Sequence, residues 1–211
     1  ALDLFELKDT GMTYRYSPDP GYKMVLDLRA GPGFDPQNPP HLAVWLENQS
    51  FYHIKTLFVT DSNESRKELP FWAFKRKGWE EARKEAEARE LDLEESLDAV
   101  SGATKNGSFD PADYILPTDQ NESMPYRVLF EVNQPNDPSS KTEDQPSLVY
   151  EVEVDNYDPR TFQLLELIGF PEAEEVEEKT EWSLRYADER IQSAFDLIDS
   201  ALLQIERKPG K

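Results

Sequence analysis

Side chains able to do acid–base or metal chemistry are scarce in this chain of 211 residues. It holds no cysteine and two histidines. His41 follows Pro39-Pro40 at the entrance to a predicted strand, and His53 precedes Ile54 within another. There is no third histidine and no thiolate to complete a zinc site, so each histidine is expected to be structural or exposed. No G-x-S-x-G, Walker or G-x-G-x-x-G pattern occurs, and no D-x-D-x-D-G calcium loop. The 43 carboxylates are too dispersed to single out a glycosidase pair. No catalytic residue and no metal ligand is therefore expected. One segment stands apart: Asp98-Ala99-Val100-Ser101-Gly102-Ala103-Thr104, followed by Lys105-Asn106-Gly107. Ser-Gly followed by Asn-Gly is good turn chemistry, and a plain loop between a helix and a strand accounts for it.

The same segment resembles the D-x-x-S-G-A-T signature at which bacterial flavin transferases esterify FMN onto a threonine. That signature belongs to the FMN-binding subunits of sodium-pumping quinone reductases and Rnf-type electron-transfer complexes. The resemblance implies that the Thr104 hydroxyl is an acceptor. It attacks the FAD pyrophosphate, AMP leaves, and FMN remains linked through a phosphodiester. Gly102 and Ala103, almost without side chains, would let the backbone enter the transferase, while Asp98 and Ser101 would hold the loop by local hydrogen bonds. The five implied cofactor-binding residues are thus Asp98, Ser101, Gly102, Ala103 and Thr104. Trp45, Trp72, Trp79 and Phe109 are candidates to cover the flavin ring, against core packing as the ordinary use of an aromatic. The FMN-binding subunits usually continue with Thr-Ser, where Lys105-Asn106 stands here.

A longer resemblance spans about Tyr22 to Asp155. The order HLAVWLEN, YHIKTLFVTD, a helical stretch, DAVSGATK, YRVLFEVNQPND and QPSLVYEVEVD is similar to a family of uncharacterised predicted periplasmic proteins. Its members tend to accompany PepSY-type membrane proteins and flavin transferases. The resemblance implies an exported, immunoglobulin-like β-sandwich associated with extracytoplasmic redox systems. A W-D-G-x-D-x-x-G turn common in that family is replaced by Phe109-Asp110-Pro111-Ala112-Asp113-Tyr114.

Composition sets the outer limits. With 43 acidic and 23 basic residues the formal net charge is -20, which opposes binding to nucleic acid and to anionic membranes. No run approaches the roughly 20 apolar residues of a membrane span. Aromatics make up 11%, enough bulky apolar material for a core. A start at Ala1 is the end that signal-peptide removal leaves, as trimming would, and export is the expectation. The acidic excess suits a high-salt habitat or solubility by self-repulsion. Asn-x-Ser sequons at Asn48, Asn63, Asn106 and Asn121 fall in predicted turns, where Asn and Ser are common in any case.

The elements follow from periodicity. Met12–Tyr16 and Tyr22–Leu28 alternate around a Ser17-to-Gly21 turn; Tyr22, Met24, Leu26 and Leu28 share one face. His41–Glu47 and Tyr52–Thr60 are strands joined by a short turn, and Pro125–Val132 and Ser147–Asp155 are two more. Gly78–Ser96 is a charged helix with the thin stripe Trp79, Ala82, Ala86 and Leu91; it is expected on one edge of the sandwich, presenting Asp98–Thr104 on an exposed loop. Phe162–Gly169 is expected as one strand, Glu172–Glu181 as a solvated acidic loop, Ala187–Asp199 as a short helix, and Leu202–Lys208 as a last strand. About seven strands with inserted helices predict a single antiparallel β-sandwich domain over residues 1–211.

Two functions remain open on the sequence. One is an extracytoplasmic accessory or electron-carrier domain with FMN on Thr104, served by a flavin transferase and steered by its charge to a basic redox partner. The other is a flavin-free binding or structural subunit of a cell-envelope assembly. Both are protein-binding roles without a membrane span or a stand-alone active site.

Overall fold

A computed structural model describes residues 4–19, 22–60, 68–88, 125–134, 146–155, 162–186 and 192–207. In chain order the elements are β1 (Leu4–Lys8), β2 (Gly11–Asp19), β3 (Tyr22–Ala30), β4 (His41–Asn48), β5 (His53–Val59), α1 (Pro70–Ala88), β6 (Tyr126–Asn133), β7 (Leu148–Val154), β8 (Phe162–Leu164), β9 (Glu166–Val176), β10 (Lys179–Arg185), α2 (Gln192–Phe195) and β11 (Ile198–Arg207). Two antiparallel sheets form a β-sandwich. The first runs β1-β2-β3-β11-β8 and the second β10-β9-β7-β6-β4-β5.

Alternation decides which side chains meet between the sheets. Met24, Leu26 and Leu28 of β3 and Leu203 and Ile205 of β11 face Leu42, Val44 and Leu46 of β4 and Val128, Phe130 and Val132 of β6. The alternate residues of β4 and β6 are buried as well. Ala43, Trp45 and Leu129 pack with Val149, Leu69, Phe71 and Trp72 in a second cluster. A strand buried on both faces has no polar face, hence the nearly continuous apolar runs HLAVWL and VLF. The molecule is thus three layers deep on one side: sheet, sheet, then α1. Burying a side chain the size of Trp72, which is wholly enclosed, contributes on the order of 2–3 kcal/mol.

Several elements depart from expectation, each for a physical reason. α1 begins at Pro70, not Gly78, because its packing side chains Phe71, Trp72 and Ala73 precede the charged stretch. Residues 89–96 of the expected helix lie outside the described residues, as does the side chain of Trp79. The helix lies on the face of the six-stranded sheet and not on an edge of the sandwich, since Trp45, Leu129 and Val149 present an apolar surface there.

Glu172–Glu181 is no loop. It forms most of the β9–β10 hairpin, whose two-residue turn puts Glu177 and Glu178 at φ of 48° and 64°. Positive φ at both central residues matches the strand twist. Arg185 pairs with Glu172 and Glu174, and Thr180 bonds Glu175, offsetting the repulsion of Glu174 against the directly opposed Glu181.

The Phe162–Gly169 stretch divides at buried Leu165 into β8, which pairs with β11, and β9, which pairs with β7. Of the short helix expected over Ala187–Asp199, residues 187–191 lie outside the described residues and Gln192–Phe195 is helical. The last strand starts at Ile198, ahead of the expected Leu202, with a register shift against β3 between Ile198 and Ser200.

Two glycines give opposite tests. Gly169 has φ of 145°, and a Cβ there would lie 2.3 Å from the Arg185 carbonyl oxygen. Gly78 lies within α1 with nothing within 4 Å of an added Cβ. Gly169→Ala is expected to destabilise by about 2 kcal/mol or more, and Gly78→Ala to stabilise by about 0.5–1 kcal/mol, in urea or thermal unfolding.

Candidate functional site

The implied cofactor-binding residues Asp98, Ser101, Gly102, Ala103 and Thr104 lie outside the described residues, together with Phe109 and the sequons at Asn63, Asn106 and Asn121. The described neighbours fix where that segment is tethered: α1 precedes it, and β6, an interior strand of the six-stranded sheet, follows. Two aromatics proposed to cover a flavin are spent elsewhere. Trp45 and Trp72 are both fully buried between α1 and the sheet. Asn48 is buried, and its Oδ1 accepts from the backbone N–H of Ser50 and of Tyr52, both at 3.0 Å.

The layer between α1 and the sheet holds most of the buried charge among the described residues, and sequence reasoning passed over it. Glu131 of β6 is completely enclosed. One oxygen accepts from the Phe71 N–H (3.2 Å) and from the Ser147 hydroxyl; the other accepts from the Trp72 N–H (2.7 Å). A carboxylate from a neighbouring strand thus caps the amino end of α1, whose first N–H groups have no partner within the helix. Beside it, Asn133 donates from Nδ2 to the Glu68 carbonyl oxygen at 3.0 Å. Burial pushes the Glu131 carboxyl up to about 7, against the opposing pull of those three donors.

Further along the helix the Trp72 indole N–H donates to Thr56 Oγ1 (2.9 Å), which also meets His53 Nε2 at 2.9 Å. Burial, with Arg76 nearby, holds the His53 imidazole down at about 4. His53 is thus a neutral, buried element of the helix–sheet contact, the structural role expected of it. His41, at the first position of β4, is partly buried.

Glu47, also buried, accepts from the Trp45 indole N–H at 2.9 Å and pairs with Lys75 at 3.3 Å. Lys75 Nζ also donates to the Phe51 carbonyl oxygen at 2.6 Å. Arg127 pairs with Glu151 and lies 4.2 Å from the Phe51 ring centroid. Burial of the Arg127 guanidinium works against its charge, and Glu47 and Glu153 favour it.

These groups hold the helix and the β4–β5 hairpin in place, with Glu131, Glu47 and Glu151 each partnered within the fold. On the helix surface, a shallow cleft of about 200 Å³ is lined by Trp72, Ala73, Arg76, Lys77 and Glu80. Its cations are neutralised along the helix, Arg76 by Glu80 and Lys77 by Glu81. Among the described residues no three His, Asp or Glu side chains are grouped to hold a metal ion, and no helix is long and apolar enough to cross a membrane.

Glu131 and His53 act on stability with opposite sign over nearly the same pH range. The raised Glu131 group favours the folded state fully below its unfolded value of 4.5, and that advantage is lost as pH rises to about 7. The lowered His53 group contributes stability above its unfolded value of 6.5, lost as pH falls to about 4. Each effect amounts to roughly 3 kcal/mol, and the two cancel across the overlap. Wild-type unfolding is expected to vary little between pH 5 and 6.5 from this pair, as urea titrations at stepped pH will show. Glu131→Gln unmasks stability that rises with pH in that range; His53→Gln unmasks stability that falls.

The chain matches no protein-family model, no curated protein and no solved structure in comparisons with each.

Proposed function

We propose that this protein is an extracytoplasmic, redox-associated accessory or electron-carrier domain that bears FMN on Thr104. The observation that carries the reading is the run Asp98-Ala-Val-Ser-Gly-Ala-Thr104. It combines a carboxylate, two near-absent side chains and a terminal hydroxyl, and a phosphoester to FMN needs one such hydroxyl. In forming it, the Thr104 oxygen bonds to the FMN-side phosphorus of FAD, the pyrophosphate linkage breaks, AMP departs, and the hydroxyl proton passes to solvent. A separate flavin transferase supplies that catalysis. FMN, once attached, supplies one- and two-electron transfer.

Among the described residues, α1 precedes the segment in the chain and β6, a strand with buried residues on both faces, follows it. The immunoglobulin-like character of the sandwich, the exported location and the association with PepSY-type membrane proteins belong to the same reading. A second reading, a flavin-free binding subunit of an envelope assembly, is favoured by the exposed aromatic tip of the β4–β5 hairpin, where Phe51 and Tyr52 stand 56% and 43% exposed.

Intact-mass measurement separates the two. Co-expression with the cognate flavin transferase is expected to add the mass of one FMN phosphoester and to produce flavin absorbance that survives denaturation. Thr104→Val is expected to abolish both. An unmodified mass in the wild type leaves the binding-subunit reading, and flavin retained by Thr104→Val moves the attachment elsewhere.

A further inference from the structure

Among the described residues the two open sheets end in four edge strands, β1 and β8 in the first and β10 and β5 in the second. An edge presents unpaired N–H and C=O groups, and proteins ordinarily guard it with charge, a bulge or proline. Three of these edges follow that rule. β1 carries Glu6 and Lys8, β10 carries Lys179 and Arg185, and β5 carries Lys55 and shifts register twice against β4. β8 does not. Phe162 to Leu165 holds no charge in a chain where 31% of residues are charged, and Phe162 and Leu164 stand 62% and 63% exposed.

The two exposed residues also own the free backbone groups. The Leu165 N–H donates to the Ala201 carbonyl oxygen at 2.9 Å. Bonded and non-bonded pairs alternate along an antiparallel ladder, so Gln163 bonds Leu203, and the N–H and C=O of Phe162 and Leu164 turn away from β11. Gln163 lies opposite the core residue Leu203 and donates from Nε2 to the Glu153 carbonyl oxygen at 2.9 Å. Phe162 and Leu164 therefore share the outer face of the sheet. Apolar side chains and unpaired backbone groups coincide on the same two residues.

We infer that β8 is a self-association edge, through which two copies of this chain pair antiparallel about a two-fold axis at Gln163. In that register Phe162 lies opposite the partner's Leu164, each bonding through both its backbone groups, and the axis repeats the pair. The two exposed apolar side chains of one copy are then covered by the same two of the other. No charge enters the contact, so chains of net charge -20 meet there without opposing like charges directly. Their remaining repulsion is long-range and yields to salt. The pairing joins the two five-stranded sheets into one. A contact this small makes the dimer weak and reversible. The inference is independent of flavin at Thr104.

Sedimentation equilibrium of the full chain tests this. A monomer–dimer equilibrium is expected, shifting toward dimer as protein concentration rises and again as salt is added. Leu164→Lys is expected to weaken it about tenfold or more, with a melting temperature within about 2 °C of wild type because the side chain is exposed in the monomer. Gln163→Cys gives a second reading that does not depend on that variant. The chain has no other cysteine, and a non-bonded position on the axis suits a disulfide. Oxidised glutathione is expected to link Gln163→Cys into a dimer faster than it links Thr180→Cys, on the exposed part of β10. A chain that is monomeric at every concentration leaves the edge to some other strand and overturns the proposal. So do a dimer that weakens with salt, a dimer untouched by Leu164→Lys, and cross-linking at position 163 no faster than at 180.

Discussion

The third layer of this molecule depends on one buried carboxylate. Laying a helix across a sheet buries the helix's amino end, and the N–H groups there must find acceptors or cost a few kcal/mol each. Glu131 provides both its oxygens from the middle of β6. With that end fixed, Trp72 meets Thr56 and, one turn on, Lys75 meets Glu47 and the carbonyl of Phe51. The line of contacts therefore runs from a sheet interior to a hairpin tip, and each link is placed by the one before. The cost is desolvation of a carboxyl among apolar neighbours. Ser147 and the two amides offset it only in part, which is why the group resists ionisation.

The sandwich was legible wherever one face of a strand differed from the other. Met24, Leu26 and Leu28 alternate with Lys23, Asp27 and Arg29, and period two declares both strand and facing side. Legibility failed where that contrast vanished in either direction. The distal β9–β10 hairpin is wet on both faces, so its glutamates mimic a loop. α1 was misplaced because the side chains that dock it precede the charged turns that announce a helix. Its seat on the sheet face was hidden for a related reason: a doubly buried strand such as β4 looks like an ordinary apolar run until its second covering layer is known.

The candidate site divides in the same way. Thr104 and its neighbours stand out because small and hydroxyl residues interrupt a charged sequence, a signal that belongs to the chain itself. The cluster of Glu131, Ser147, Phe71 and Trp72 carries no such signal. Its members lie up to 60 and more positions apart, and one acidic residue in a chain with 43 has nothing to distinguish it. The apolar neighbours of Glu131 on both sides, Phe130 and Val132, were the available clue. A carboxylate inside an otherwise uninterrupted apolar strand needs a partner, and a helix terminus is among the few groups able to serve.

Strands β8 and β9 are separated by Leu165 alone, yet they belong to different sheets. Leu165 is buried, and its N–H donates to the Ala201 carbonyl oxygen on β11 at 2.9 Å. The chain therefore stitches the two layers together at a point where it has no slack. Sliding one sheet over the other would have to tear the β8–β11 and β7–β9 ladders together, so shear between the sheets is closed to this molecule as a mode of motion. The two sheets are thereby joined into one frame, to which α1 and the hairpins are attached.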